Sequence, residues 1–319
     1  MKLTARPWWP WAKRALGIAF MVLVIALLVR YARTVDWGEV RQSVLELPRH
    51  VLLQAALLCA ASHVLYSCFD LLGRRYTRHT LPRLQVMQVN FISYAFNLNF
   101  GSLVGGVAFR YRLYSRLGLS YSTITRVVTI SMLTNWLGYL LLAGLVFTLA
   151  PLQLPPDWKM DSRGLQLLGL GLLAAALAYL VLCGWSKQRS WTIRGHELVL
   201  PRPRMALLQL VMSSANWMIM AAAVWTLLQG RIEYSQVLSV LLIAAVAGVI
   251  THVPAGLGVF EGVFIALLSH QVPEPQLLGA LLGYRALYYI APLFVAGLLY
   301  LAFELRARKG GASVKQMHT

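Results

Sequence analysis

The sequence predicts an all-α integral membrane protein with six spanning helices and two opposed re-entrant helical hairpins arranged as an inverted repeat. Three observations carry that expectation. Apolar residues make up 58% of the 319 and charged residues only 13%, a balance that suits a bilayer rather than water as solvent. The apolar residues gather into eight runs, several near the roughly 20 residues that a helix needs to cross the hydrocarbon core. The 29 Lys and Arg against 11 Asp and Glu lie mostly in short segments between those runs. That placement marks cytoplasmic loops facing anionic headgroups. It leaves no basic aromatic surface for nucleic acid, and such a partner is excluded.

Residues 1–14 form a cytoplasmic N-terminus in which Trp8, Trp9 and Trp11 anchor the chain at the interface. The first run, about 15–31, starts behind Lys13 and Arg14. It reads as a retained signal anchor, because Arg30, Tyr31 and Arg33 stand where small cleavage residues would. Further spans are expected at 51–72, 123–150, 165–184, 205–228 and 276–303. Two runs are broken. That at 84–109 contains Asn97, Asn99, Gly101, Ser102, Gly105 and Gly106, and that at 236–270 contains Pro254, Gly256 and Gly258. Irregular backbone at membrane depth has to face protein or a wet cavity.

Charge decides how those two runs lie. Arg74, Arg75, Arg78 and Arg83 precede the first broken run and Arg110, Arg112 and Arg116 follow it, so both its ends belong to the cytoplasm. The second has only Arg231 nearby and turns back from the opposite face. With this parity, 21 of the 29 basic residues fall inside and seven outside. The order helix, helix, hairpin, helix then occurs twice with opposite insertion. Residues 15–150 form the first repeat, 151–164 a periplasmic loop, 165–303 the second repeat and 304–319 a cytoplasmic tail. The segment from Lys187 to Arg204 is either a short interfacial β-hairpin or a plain connecting loop, the loop being slightly favoured.

Broken helices from opposed repeats are a recurring transporter design, in which free backbone N–H groups meet an anion near the midplane. Glycines that merely permit a tight hairpin are the plainer account. Glu261 and Arg285 are the deepest charges, with Arg285 beside Tyr284, Tyr288 and Tyr289. They read either as a structural ion pair or as a phosphate grip with a proton-accepting carboxylate. Arg110 is placed where a headgroup could be received, though positive-inside topology explains it equally well. Asn90, Asn97, Asn99, Asn135, Asn216 and His252 line a wet path or, more often for such residues, join helices by hydrogen bonds. Asp70 is expected to pair with Arg74 at the interface. Cys59, Cys68 and Cys183 lie in apolar runs and read as inert. No nucleotide phosphate loop, catalytic triad, HExxH or metal-spaced His set occurs, so neither cofactor nor metal is expected.

Five segments together carry a resemblance: YAFNLNFGSLVGGVAFRYRLYSRLG (94–118), TNWLGYLLLAG (134–144), SSANWM (213–218), HVPAGLGVFEGVFIALL (252–268) and YRALYYIAPL (284–293). They are similar to the transmembrane, flippase-like region of lysylphosphatidylglycerol synthases and its stand-alone relatives, over nearly the whole chain. Pro254, Gly256, Gly258, Glu261, Tyr284, Arg285, Tyr288 and Pro292 resemble the family's signature positions. Gly101 and Ala108 depart from it, standing where members often carry a proline and an acidic residue.

The resemblance implies lipid translocation and not lysyl transfer, because the soluble aminoacyl-transferring part of the full-length synthases has no counterpart before the chain ends. The expectation is a translocator of an anionic phospholipid or lipid-linked headgroup in a bacterial inner membrane, with both termini cytoplasmic. The residues expected at the lipid are Arg110, Gly105, Gly106, Gly256, Gly258, Glu261, Tyr284, Arg285 and Tyr288. A small-solute or ion secondary transporter, and a non-transporting partner of a lipid-synthesis enzyme, are the alternatives. Association with such an enzyme and homo-oligomerisation are further expectations.

Overall fold

A computed structural model describes residues 37–150, 152, 162–186, 190–193, 196–251 and 253–316. The signal anchor expected at 15–31 and the site candidate His252 lie outside them. Twelve α-helices are described. They are α1 (Trp37–Leu45), α2 (Arg49–Ser67), α3 (Phe69–Thr77), α4 (Arg83–Phe100), α5 (Phe109–Arg116), α6 (Tyr121–Leu149), α7 (Ser162–Trp185), α8 (Pro203–Leu227), α9 (Tyr234–Thr251), α10 (Val259–Leu268), α11 (Glu274–Arg285) and α12 (Ala291–Gln316). The chain is a multi-pass membrane protein.

Six helical stretches are long and apolar enough to cross a bilayer: Arg49–Thr77, Tyr121–Leu149, Ser162–Trp185, Pro203–Leu227, Tyr234–Thr251 and Glu274–Leu305. They coincide with the five expected spans from 51–72 onward. The sixth is α9, the first arm of the second broken run, where a re-entrant arm was expected. Its 18 residues rise about 27 Å, nearly the full hydrocarbon thickness. α10, with 10 residues, rises only about half as far.

Proline and glycine punctuate this layout. Pro48, Pro82 and Pro273 immediately precede α2, α4 and α11, and Pro203 is the first residue of α8. Proline's fixed φ suits a helix start, and its missing N–H is one that would have no intrahelical partner there. Ser120 caps α6, its Oγ accepting from the Thr123 amide at 3.4 Å. Between α7 and α8 the chain forms two antiparallel strands, Ser190–Ile193 and His196–Val199, with Trp191 opposite Leu198. The slightly favoured plain loop is therefore replaced by the hairpin, as the alternation of β-formers such as Trp191 and Ile193 with polar residues permits.

The first broken run folds back on itself. Gly101, at φ +85°, ends α4, and a π-helical stretch Ser102–Ala108 leads into α5. Gly105 lies directly against the backbone of Phe96 and Asn97, and Gly106 against the Asn97 side chain. Further along, Arg110 reaches Asn90, and the Tyr114 hydroxyl lies 3.5 Å from the Val86 carbonyl. These pairings run in opposite directions, so the two arms are antiparallel.

A Cβ at residue 105 would overlap the Asn97 backbone, which cannot swing aside as a side-chain end can. Gly105→Ala is therefore expected to destabilise the protein by about 1–3 kcal/mol, the usual range for overpacking. Gly171→Ala, where nothing stands within 4 Å, is the matched control and should change little. Thermal unfolding of both variants in one detergent checks this. A Gly105→Ala midpoint equal to the control's would rule out the close approach.

The remaining helices pack against one another and, in part, against this hairpin. α2 lies along α8 and α4, and α6 along α7 and α8. Small residues allow the closest approaches, with Gly138 against Ser213 and Gly144 against Leu173. In the second broken run α9 and α10 pack against each other across 253–258, and α4 also touches the Pro254–Gly256 turn. α11 passes through a π-helical turn, Ala286–Ile290, into α12, and that turn contacts α2 and α4.

Candidate functional site

Two buried ion pairs, each at one of the broken runs, organise the centre of the molecule. In the first, Asp70 on α3 is fully buried and Arg110 on α5 is 2% exposed. Arg110 Nε donates to Asp70 Oδ2 at 3.1 Å and Nη2 to Oδ1 at 3.3 Å, a bidentate fit. Nη1 donates to the Gly106 carbonyl at 2.8 Å, while Nη2 also reaches Asn90 and, at 3.3 Å, Ser131 Oγ. The Tyr114 hydroxyl donates to Asp70 Oδ2 at 2.8 Å.

Arg110 is thus turned inward with each guanidinium nitrogen engaged, and not set in a mouth open to a headgroup. Asp70 likewise pairs with Arg110 instead of the expected Arg74, whose Nε caps the Leu81 carbonyl at 2.7 Å. Asp70 lies on the face of α3 turned to the hairpin, where only a buried cation can meet it. Arg112 and Arg116 are the more exposed arginines of α5. Both pair with Glu304 on α12, with Arg112 Nη2 at 3.0 Å from Oε1.

The second pair joins α10 to α11. Arg285 is 7% exposed and Glu261 8% exposed. Arg285 Nε pairs with Glu261 Oε1 and Nη2 with Oε2 at 3.0 Å. The same guanidinium donates to the carbonyls of Ala255 at 3.0 Å and Gly256 at 3.1 Å. It lies 5.2 Å from the Tyr289 ring centroid and 5.8 Å from that of Phe260. Glu261 Oε2 accepts from the Gly258 amide at 2.9 Å, as an acidic third residue does at a helix start.

Left-handed backbone at Ala255, Gly256 and Gly258 makes this bend, with φ of 57°, 57° and 74°. Two of the three positions are glycine, which adopts positive φ without strain. Of the nine expected site residues, Arg285, Glu261, Gly256 and Gly258 come together here, beside Tyr284 and Tyr288. Arg110, Gly105 and Gly106 come together at the first bend.

Tyr284 and Tyr288 are fully buried and stacked, with ring centroids 5.0 Å apart. The Tyr288 hydroxyl lies 2.9 Å from Ser62 Oγ and 3.0 Å from the Tyr94 hydroxyl. Ser62 Oγ in turn donates to Asn216 Oδ1 at 2.8 Å. Asn99 Nδ2 donates to the Tyr289 carbonyl at 3.2 Å. This network ties α2, α4 and α8 to the π-helical turn, and Asn90, Asn99 and Asn216 join helices as the commoner reading held. Ser62, His63, Tyr66 and Tyr94 escaped the sequence reading because none is charged in an obvious way. Their spacing along α2 at 62, 63 and 66 was the available signal, a polar stripe on one face of an apolar helix. Among the described residues, no group of three or more His, Cys, Asp or Glu is placed to hold a metal ion.

The family described as the lysylphosphatidylglycerol synthase TM region matches residues 14–296. The chain is 49% identical over 306 residues to inner membrane protein YbhN of Escherichia coli (strain K12), covering 96% of each. It is 31% identical over 297 residues to the uncharacterized protein slr0712 of Synechocystis, covering 92% of each. Identity to the phosphatidylglycerol lysyltransferase of Staphylococcus haemolyticus is 22%, over 90% of this chain but 33% of that enzyme. The chain thus spans about a third of the lysyltransferase's length and nearly all of its nearer relatives'. It belongs to the lysylphosphatidylglycerol synthase transmembrane-region family.

Proposed function

We propose that the protein moves an anionic phospholipid between the leaflets of a bacterial inner membrane, binding the headgroup phosphate at the second bend. The observation that carries this reading is Arg285. Its guanidinium sits within the bilayer-spanning part of the chain, at an unwound segment, and opposes a single carboxylate. Charges at such depth mark functional sites by default. Arg285 can exchange Glu261 for a phosphate of the same bidentate geometry while its other donors keep the Ala255 and Gly256 carbonyls. Tyr284 and Tyr288 form the wall beside it. The distant relatives named phosphatidylglycerol lysyltransferase suggest phosphatidylglycerol as the first substrate to try.

In this reading the two broken runs are re-entrant hairpins of an inverted repeat, entering from opposite faces, and both termini are cytoplasmic. Arg110 joins the two arms of the first hairpin through Asn90 and anchors them to α3 through Asp70. The transport test uses purified protein in liposomes carrying phosphatidylglycerol labelled in one leaflet, with phosphatidylethanolamine as comparison. Movement no faster than in empty vesicles would remove the proposal. Topology has its own test. A cysteine introduced at Gln271 is expected to react with an impermeant thiol reagent from the periplasmic side only, and cytoplasmic labelling would overturn the opposed insertion.

A further inference from the structure

His63 lies on the buried face of α2 and is 3% exposed. Its Nδ1 is 2.9 Å from the Cys59 carbonyl. A carbonyl only accepts, so Nδ1 carries the hydrogen and the neutral ring presents a bare lone pair at Nε2. That nitrogen is buried without a hydrogen-bond partner. Three aromatic rings surround the imidazole, with centroids at 4.6 Å for Tyr288, 5.5 Å for Tyr94 and 5.9 Å for Phe91. They come from the π-helical turn of the second half and from α4 of the first hairpin, so the ring sits at the seam between the halves.

Other titratable groups near this position are Cys59 and Tyr66 on α2, Tyr94 on α4, and Tyr284, Tyr288 and Tyr289 around the π-helical turn. α8 faces it with Asn216 and carries no titratable side chain after Arg204. The nearby charges, Asp70 with Arg110 on α3 and α5 and Glu261 with Arg285 on α10 and α11, are already paired. A neutral His63 therefore leaves one acceptor unsatisfied in an apolar site. A protonated His63 gains aromatic faces that attract a cation. Opening of the seam around the ring would bring water within reach of Nε2.

We propose that Nε2 of His63 is the proton-binding site that couples lipid movement to a proton gradient. This rests on the transport reading above. An O–H bond of a hydronium ion on one side of the membrane breaks as the N–H bond forms at Nε2, and the reverse exchange returns the proton to water on the other side. One proton moving down a gradient of one pH unit is worth a factor of about ten. A gradient of that size is expected to raise the initial rate of labelled phosphatidylglycerol movement several-fold in the native protein. In His63→Gln the ratio of rates with and without the gradient should fall to one, whatever the absolute rate. A His63→Gln ratio equal to the native one overturns the proposal.

A second measurement does not need transport. Nitrogen NMR of histidine-labelled native protein in nanodiscs should show one buried imidazole, missing in His63→Gln, that gains its Nε2 proton as pH falls from about 8 to about 3. A ring that stays neutral throughout overturns the proton site even if lipid moves. Immobile lipid together with a titrating ring removes the transport reading and the coupling, and keeps the proton site.

Discussion

Arg110→Ala is expected to cost about 3–5 kcal/mol of stability, the range for breaking a buried ion pair from one side. The cost is electrostatic. Asp70 is fully buried and would keep only the Tyr114 hydroxyl as a donor, so its charge would stand uncompensated. The Gly106 carbonyl would lose its 2.8 Å bond as well, loosening the turn that leads into α5. Removing both charges should hurt less than removing one. Asp70→Leu with Arg110→Leu is expected to recover much of the loss, because two apolar side chains need no desolvated partner. Denaturant unfolding of the native protein, Asp70→Leu, Arg110→Leu and the double variant completes the cycle. If the double variant is as unstable as the sum of the singles, the pair does not act as a unit and the account of the first hairpin fails.

The sequence made the framework legible and left the contacts hidden, for a physical reason. Length, hydropathy and basic flanks are local quantities, so the spans from 51–72 to 276–303 could be placed from them. Gly101, Gly256 and Gly258 marked the bends because positive φ favours glycine. Which carboxylate meets which arginine is not local. Asp70 had Arg74 one turn away and Arg110 forty residues away, and burial chose the distant one, since a half-buried Arg74 has the Leu81 carbonyl to donate to while a fully buried Asp70 needs a buried cation. The Glu261–Arg285 pair was readable as one of two accounts because both charges fall inside apolar runs. His63 and Ser62 were not, since a lone His or Ser in such a run is unremarkable until its neighbours are known.

The largest functional effect is expected at Arg285. Alanine there removes the cation, the bidentate partner of Glu261 and the donors to the Ala255 and Gly256 carbonyls. Hydrogen bonds to charged groups are worth about 1.5–3 kcal/mol each, so losing even one from the rate-limiting state lowers the rate about tenfold or more. Arg285→Ala should therefore abolish measurable phosphatidylglycerol movement. Arg285→Lys separates charge from geometry: an ammonium keeps the positive charge but cannot present the planar fork that spans a carboxylate or phosphate. Its rate should fall well below the native one while the protein still folds. Glu261→Gln tests the exchange of carboxylate for phosphate. With the competing negative charge gone, headgroup affinity should rise, and movement should slow because nothing remains to displace the lipid. Tighter phosphatidylglycerol binding with slower movement in Glu261→Gln is the expected pair of results. Weaker binding in that variant would mean that Glu261 merely holds Arg285 in place.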